Sequence, residues 1–156
     1  MKKKQKNTLH IKDEFIGNNK ELDLHEYQNK TVIFNNCVFE NSFGTNRVEV
    51  KNGIIILEAN NRFHGNVEIE CQKLIIKQSI TPKMPIQLKN IKIEAEELIF
   101  DQSNLKSNER IKIFALEKIG IRTEKLIMKN VILGAKKDLH ILTSEPITIF
   151  AASTFK

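Results

Sequence analysis

Six short apolar runs recur along this chain: Val32-Ile33-Phe34, Ile55-Ile56-Leu57, Leu74-Ile75-Ile76, Leu98-Ile99-Phe100, Leu126-Ile127-Met128 and Ile147-Thr148-Ile149. Their starts lie 23, 19, 24, 28 and 21 residues apart, a mean of 23. A second run precedes most of them by a constant step. Val48-Glu49-Val50, Val67-Glu68-Ile69, Ile91-Lys92-Ile93 and Ile119-Gly120-Ile121 begin seven residues before the next run, and Leu139-His140-Ile141 begins eight before. Residues 67–80, 91–104 and 119–132 superpose on one pattern, with Cys71, Ala95 and Thr123 in a shared small-residue slot. A later slot takes Asn60, Ser79, Ser103 and Val131, with Cys37 matching in the first coil.

Apolar residues alternating with others over three to five positions mark strands, and the β-branched content of the runs agrees. Helical spacing is not sustained anywhere for ten residues or more. A strand–turn–strand unit repeating about every 23 residues cannot bury an apolar face alone, whereas stacked units form one continuous core. The expected fold is therefore all-β, a single-stranded parallel β-helix (β-solenoid) of about six coils, with an antiparallel β-sandwich as the alternative. Residues 1–18, which carry Lys2, Lys3, Lys4 and Lys6, read as a flexible basic tail, and residues 19–156 as the solenoid domain. Asn19 to Tyr27 reads as a short strand or irregular cap. The stretches Thr81–Lys89 and Arg110–Lys118 read as corner insertions, in which Ile86-Gln87-Leu88 and Ile111-Lys112-Ile113 are expected third-face strands.

The pattern Ile91-Lys92-Ile93-Glu94-Ala95-Glu96-Glu97-Leu98-Ile99-Phe100-Asp101-Gln102-Ser103 and its two cognates resembles right-handed parallel β-helices, and within them the filamentous-haemagglutinin-like repeat of bacterial adhesins. The resemblance spans about residues 22–150 and implies a stacked-coil scaffold. The chain departs from those repeats in being short, poor in glycine with 6 Gly, and without an apolar leader after its basic start.

Composition narrows the function classes. Hydrophobic residues make up 40% and charged residues 28%, within the range of an ordinary globular chain. The net charge of +6 is concentrated in part at the N-terminus, so no nucleic-acid partner is expected. No apolar run reaches the length of a membrane helix. The 2 cysteines, Cys37 and Cys71, sit in no zinc-type spacing and form no disulfide framework, which points to a reducing compartment. With no signal-peptide core after the basic start the cytoplasm is expected, with export by another route as the alternative. No nucleophile, phosphate-loop, zinc-protease or dinucleotide motif occurs, and no catalytic residue, cofactor or metal is expected. His10, His25, His64 and His140 are scattered, with His140 in an outward strand slot.

Two surface features remain. The middle residue of each main run points outward, and it is Ile33, Ile56, Ile75, Ile99 and Ile127, then Thr148. A water-facing strand ordinarily places polar residues there. Five stacked isoleucines make an apolar stripe of ~20 Å at ~4.8 Å per coil. Such a patch marks an interface, covered by the chain's own termini, by a second copy, or by a protein partner. The expected function is thus a non-enzymatic structural or protein-interaction module. The alternative is a carbohydrate-binding or polysaccharide-processing β-helix that uses a polar face. Its candidate is a ladder of Glu70, Glu94 and Arg122, with Glu96, Glu97 and Asp101 nearby. Glycan sites favour aromatic platforms, and this chain has no Trp and a single Tyr, Tyr27.

Overall fold

The structure, a computed structural model, describes residues 7–16, 24–82, 88–106, 108–144, 148–150 and 154–155. The strands are β1 (Thr8–Lys12), β2 (Phe15–Ile16), β3 (Thr31–Asn35), β4 (Val38–Ala59), β5 (Arg62–Ile76) and β6 (Leu88–Phe100). They continue with β7 (Ile111–Ala115), β8 (Lys118–Lys129), β9 (Val131–Ala135), β10 (Asp138–Thr143), β11 (Thr148–Phe150) and β12 (Thr154–Phe155). Every strand pairing is parallel, so the sandwich alternative falls. The chain is a β-solenoid of about 5 turns with ~23 residues per turn. The expectation of about six counted runs, and six stacked runs enclose five turns.

Three rows of strands form the wall. One row runs through β1, β3 and the C-terminal parts of β4, β5, β6 and β8 to β11. A second contains residues 45–50, 66–71, 90–95, 118–123 and 138–143. The third passes from β2 through the starts of β4 and β5, across the Ile80–Ile113 bridge, to β7, β9 and β12. Ile111-Lys112-Ile113 therefore lies on the expected third face, while Ile86 and Gln87 fall outside the described residues.

Alternation decides which side chains enter the core. Val32, Ile55, Leu74, Leu98 and Leu126 are stacked in register and 0–1% exposed. Phe34, Leu57, Ile76 and Phe100 form the next inward column. Phe39 and Phe63 are paired across the third row with ring centroids 4.7 Å apart. Each such burial removes enough apolar area to contribute about 1.5–3 kcal/mol.

The corners use asparagine where other solenoids use glycine. Asp13, Asn29, Asn36, Asn52, Asn60 and Asn130 all adopt left-handed backbone conformations, φ 53–66°. Asn and Asp tolerate this region because their short polar side chains bond locally. Asn36 Nδ2 donates to Asp13 Oδ1 at 2.7 Å, tying two such corners together. Inside the wall, Asn61 and Gln78 close a buried amide network. Asn61 Oδ1 accepts from the Cys37 amide, and Asn61 Nδ2 donates to the Phe34 carbonyl and to Gln78 Oε1.

Three expectations need correction. Thr8–Lys12 lies within the expected tail but pairs with β3 in register, because Leu9 and Ile11 alternate toward the core and pack on it. The residues around the expected boundary at 18 lie outside the described set, as do residues 19–23 of the expected cap, whose remainder contains a short 3-10 turn at His25–Tyr27. Val48 is in register with Ile69 rather than Val67, since the corner after Val50 spends three residues (Lys51, Asn52, Gly53) where the corner after Cys71 spends only Gln72. Finally, the slot of Cys37, Asn60, Ser79, Ser103 and Val131 is not one column. Cys37 hydrogen-bonds Asn61, and Val131 pairs with Ile111. A bulge at Asn35–Ala59 and corners of different length shift these residues apart.

Candidate functional site

Two outward surfaces meet along the solenoid, separated by the corner between the first and second strand rows. The first is the aliphatic column. Ile33, Ile56, Ile75, Ile99 and Ile127 are consecutive register partners, and the backbone of Thr148 continues the line. Each isoleucine is half-buried, flanked in its own strand by inward residues such as Val32 and Phe34 or Leu74 and Ile76. The column was legible in the sequence because alternation within one strand is a local property. All described strands belong to the wall itself, so among the described residues no second layer of strands lies over it.

Charged rows frame the column. On one side lie Ile54, Lys73, Glu97 and Lys125, with Lys73 Nζ 4.0 Å from Glu97 Oε2. On the other, Lys77 Nζ stands 3.9 Å from Glu58 Oε2 and 3.7 Å from Asp101 Oδ2. The Ser103 amide donates to Asp101 Oδ1 at 2.9 Å and, with weaker help from Lys77, holds this carboxyl below its ordinary 3.8. Long lysine stems at these positions cover apolar surface while their heads stay in water. The isoleucine stripe thus runs as an apolar centre between two rails of alternating charge.

The second surface is the polar ladder. Glu49, Glu70, Glu94 and Arg122 are consecutive register partners, so the expected triad is brought together, and Leu142 follows Arg122. Glu70, Glu94, Arg122 and Leu142 line an open groove of about 700 Å³ along the corner, shared with Lys51, Gln72, Glu96 and Glu124. Glu97 and Asp101, expected nearby, turn instead to Lys73 and Lys77 on the isoleucine side, because the corner reverses which face they occupy. The acidic residues are largely neutralised by neighbours. Arg47 bridges Glu49 at 3.1 Å and Glu70 at 3.5 Å, and Lys92 lies between Glu68 at 3.6 Å and Glu94 at 4.0 Å. Such exposed pairs contribute little stability, of order 0–1 kcal/mol each. They also stop like charges from repelling up the stack.

The groove floor holds the small-residue slot, where Cys71, Ala95 and Thr123 are register partners as expected. Thr123 Oγ1 lies 3.2 Å from the Glu96 carbonyl and 3.1 Å from the Lys125 carbonyl, so its hydroxyl stitches the corner rather than facing a substrate. Burial pushes the Cys71 thiol up to about 12, against a hydrogen bond to the Ile55 backbone and with a further push from Glu70. A thiol so raised stays protonated and is a poor nucleophile. Cys37 is likewise buried, its sulfur 3.4 Å from the Ile11 carbonyl. His140 is exposed in an outward slot beside Gly120. Among the described residues no group of three His, Cys, Asp or Glu side chains could hold a metal ion. No helix among them is long and apolar enough to cross a membrane.

Sequence reasoning missed the two charged rails. Their signal was present as Lys73, Lys77, Glu97 and Asp101 two residues either side of the isoleucines. No protein-family model, curated protein or solved structure matches the chain.

Proposed function

We propose that this protein is a non-enzymatic interaction module, a rigid solenoid that docks through the outward column Ile33–Ile56–Ile75–Ile99–Ile127. The observation that carries this reading is the unbroken register of five outward isoleucines on a parallel sheet. Water-facing strands gain nothing from stacked isoleucines, and a contiguous apolar stripe rimmed by charge is characteristic of a contact surface. The filamentous-haemagglutinin-like pattern of residues 91–103 fits a scaffold of this kind. Two free, buried cysteines suit a reducing, cytoplasmic setting.

The test is the double variant Ile75→Lys/Ile99→Lys. Outward positions do not hold the core, so it is expected to melt within about 1 kcal/mol of wild type, while any assembly that wild type makes is abolished by the desolvated charge. A loss of several kcal/mol would mean that the chain covers its own column, and the docking reading would fail.

The groove beside Glu70, Glu94 and Arg122 supports a second reading, a glycan-binding face. It is open and sets a guanidinium beside carboxylates, groups that hydrogen-bond hydroxyls. Its lining contains no aromatic side chain, the platform on which sugars usually stack, and this places it second. Titration calorimetry with acidic and neutral oligosaccharides decides it: heat abolished by Arg122→Ala would favour the groove.

A further inference from the structure

The two rails restrict what can occupy the column. Number the rungs by their isoleucines, from Ile33 as the first to Ile127 as the fifth and Thr148 as the sixth. Rung three carries Lys73 and Lys77 on its two flanks, and rung four carries Glu97 and Asp101 on the same two flanks. A positive rung therefore lies beside a negative rung at the centre of the six. This pattern is its own complement under one symmetry operation. A two-fold axis parallel to the strands, passing between rungs three and four, lays Ile75 on the partner's Ile99. It also sets Lys73 against the partner's Glu97 and Lys77 against the partner's Asp101. Each contact occurs twice, as an isologous interface requires. The same axis overlaps all six rungs.

Parallel axes, and antiparallel ones centred on rung three or rung four, fail on charge, while an axis between rungs four and five, which also sets Glu97 against the partner's Lys125, overlaps only four rungs. With the solenoid axes parallel, one rail meets the other at equal height, so Lys77 opposes the partner's Lys73 and Asp101 opposes the partner's Glu97. With the axis moved onto rung three, Lys73 and Lys77 oppose their own copies. On rung four, Glu97 and Asp101 do. Like charges brought together across a contact suppress a pairing, and opposite charges fix its register.

We propose that the occupant of the column is a second copy of this chain, packed face to face with its solenoid axis antiparallel and the two-fold axis between Ile75 and Ile99. This inference rests on the docking reading above and specifies its partner. Six rungs at ~4.8 Å and five residues at ~3.3 Å give a projected contact of roughly 480 Å² per copy, below a standard interface, so the dimer is weak and reversible.

The experiment is sedimentation equilibrium on the full chain over a concentration series. It compares wild type, Lys73→Glu/Lys77→Glu, Glu97→Lys/Asp101→Lys, and an equimolar mixture of the two variants. Wild type is expected to pass from 18.0 kDa toward twice that mass with rising concentration. Each variant alone is expected to stay monomeric, and the mixture to regain the dimer. Restoration in the mixture cannot come from repair of either chain's own fold, since each chain keeps its altered charges. Lys77→Glu alone is expected to weaken the dimer. If it tightens it, the axes are parallel and the proposed arrangement is wrong. Wild type that remains monomeric throughout overturns self-docking. When Ile75→Lys/Ile99→Lys is then as stable as wild type, the docking reading survives that failure, and when it is destabilised both fall together.

Discussion

Replacing Asn61 by Ala removes the side chain on which one corner of the solenoid closes. Asn61 is 5% exposed, and its amide serves three partners. Oδ1 accepts from the Cys37 N–H at 3.0 Å, and Nδ2 donates to the Phe34 carbonyl at 2.9 Å and to Gln78 Oε1 at 2.8 Å. Gln78 Oε1 keeps the Asn61 backbone N–H at 3.0 Å in the variant, so that atom is not orphaned. The Cys37 N–H and the Phe34 carbonyl lose this partner inside the wall. A buried polar group left unsatisfied costs about 1–3 kcal/mol, so the two together cost about 2–6 kcal/mol. Urea denaturation followed by far-ultraviolet circular dichroism measures this as a lower midpoint at unchanged slope. Asn61→Asp is expected to be no better, because a carboxylate cannot donate to the Phe34 carbonyl and sets an acceptor against Gln78 Oε1. In a cycle with Gln78→Ala the two losses are expected to be non-additive by about 0.5–3 kcal/mol. A loss below about 1 kcal/mol for Asn61→Ala, or strict additivity with Gln78→Ala, would refute the claim that this amide pair holds the corner.

Gly53→Ala places a Cβ 2.5 Å from the Lys30 carbonyl and 2.4 Å from Val50 Cγ1, so a thermal melt should show a loss of about 1–3 kcal/mol. Gly120→Thr meets open space on an outward strand position and should stabilise by up to about 1 kcal/mol. Cys71 should resist alkylation in the native state at neutral pH and react on unfolding, and Cys71→Ala should cost less than about 2 kcal/mol because Ala95 fills the equivalent slot one coil on. Rapid native-state modification of Cys71 would contradict its burial. Asp101 is depressed in the folded chain, so the stability it adds is fully present above its ordinary 3.8 and is lost as pH falls below that value. Asp101→Asn should flatten the acid limb of a stability-against-pH curve, and an unchanged limb would remove Asp101 as its cause.

Much of this architecture could be read without coordinates. The spacing near 23 residues, the alternation in each run and the absence of a helical period led to a parallel solenoid. The same alternation placed Ile33, Ile56, Ile75, Ile99 and Ile127 outside and Val32, Ile55, Leu74, Leu98 and Leu126 inside. The triad Glu70, Glu94 and Arg122 was legible for the same reason, since in each of its coils a single residue (Gln72, Glu96, Glu124) separates the two paired runs. The low glycine count read as a departure from solenoid turns, yet Asn36, Asn52, Asn60 and Asn130 supply the left-handed conformations that glycine would have supplied.

Inward or outward orientation within a strand follows from neighbouring residues alone, because each residue turns the side chain to the opposite face. Alignment between coils does not. It depends on how many residues each corner consumes, and that number is decided where backbones stack. The three-residue corner Lys51-Asn52-Gly53 moved Val48 onto Ile69, and the bulge before Ala59 set Cys37 against Asn61. Membership of Thr8–Lys12 in the sheet was decided by the free edge of β3, which a short alternating segment could extend. The sequence by itself determined the repeat, the core columns and the aliphatic stripe. Only the tertiary structure determined which charges flank that stripe, because Lys73, Lys77, Glu97 and Asp101 become neighbours across coils through backbone hydrogen bonds between residues about a full turn apart.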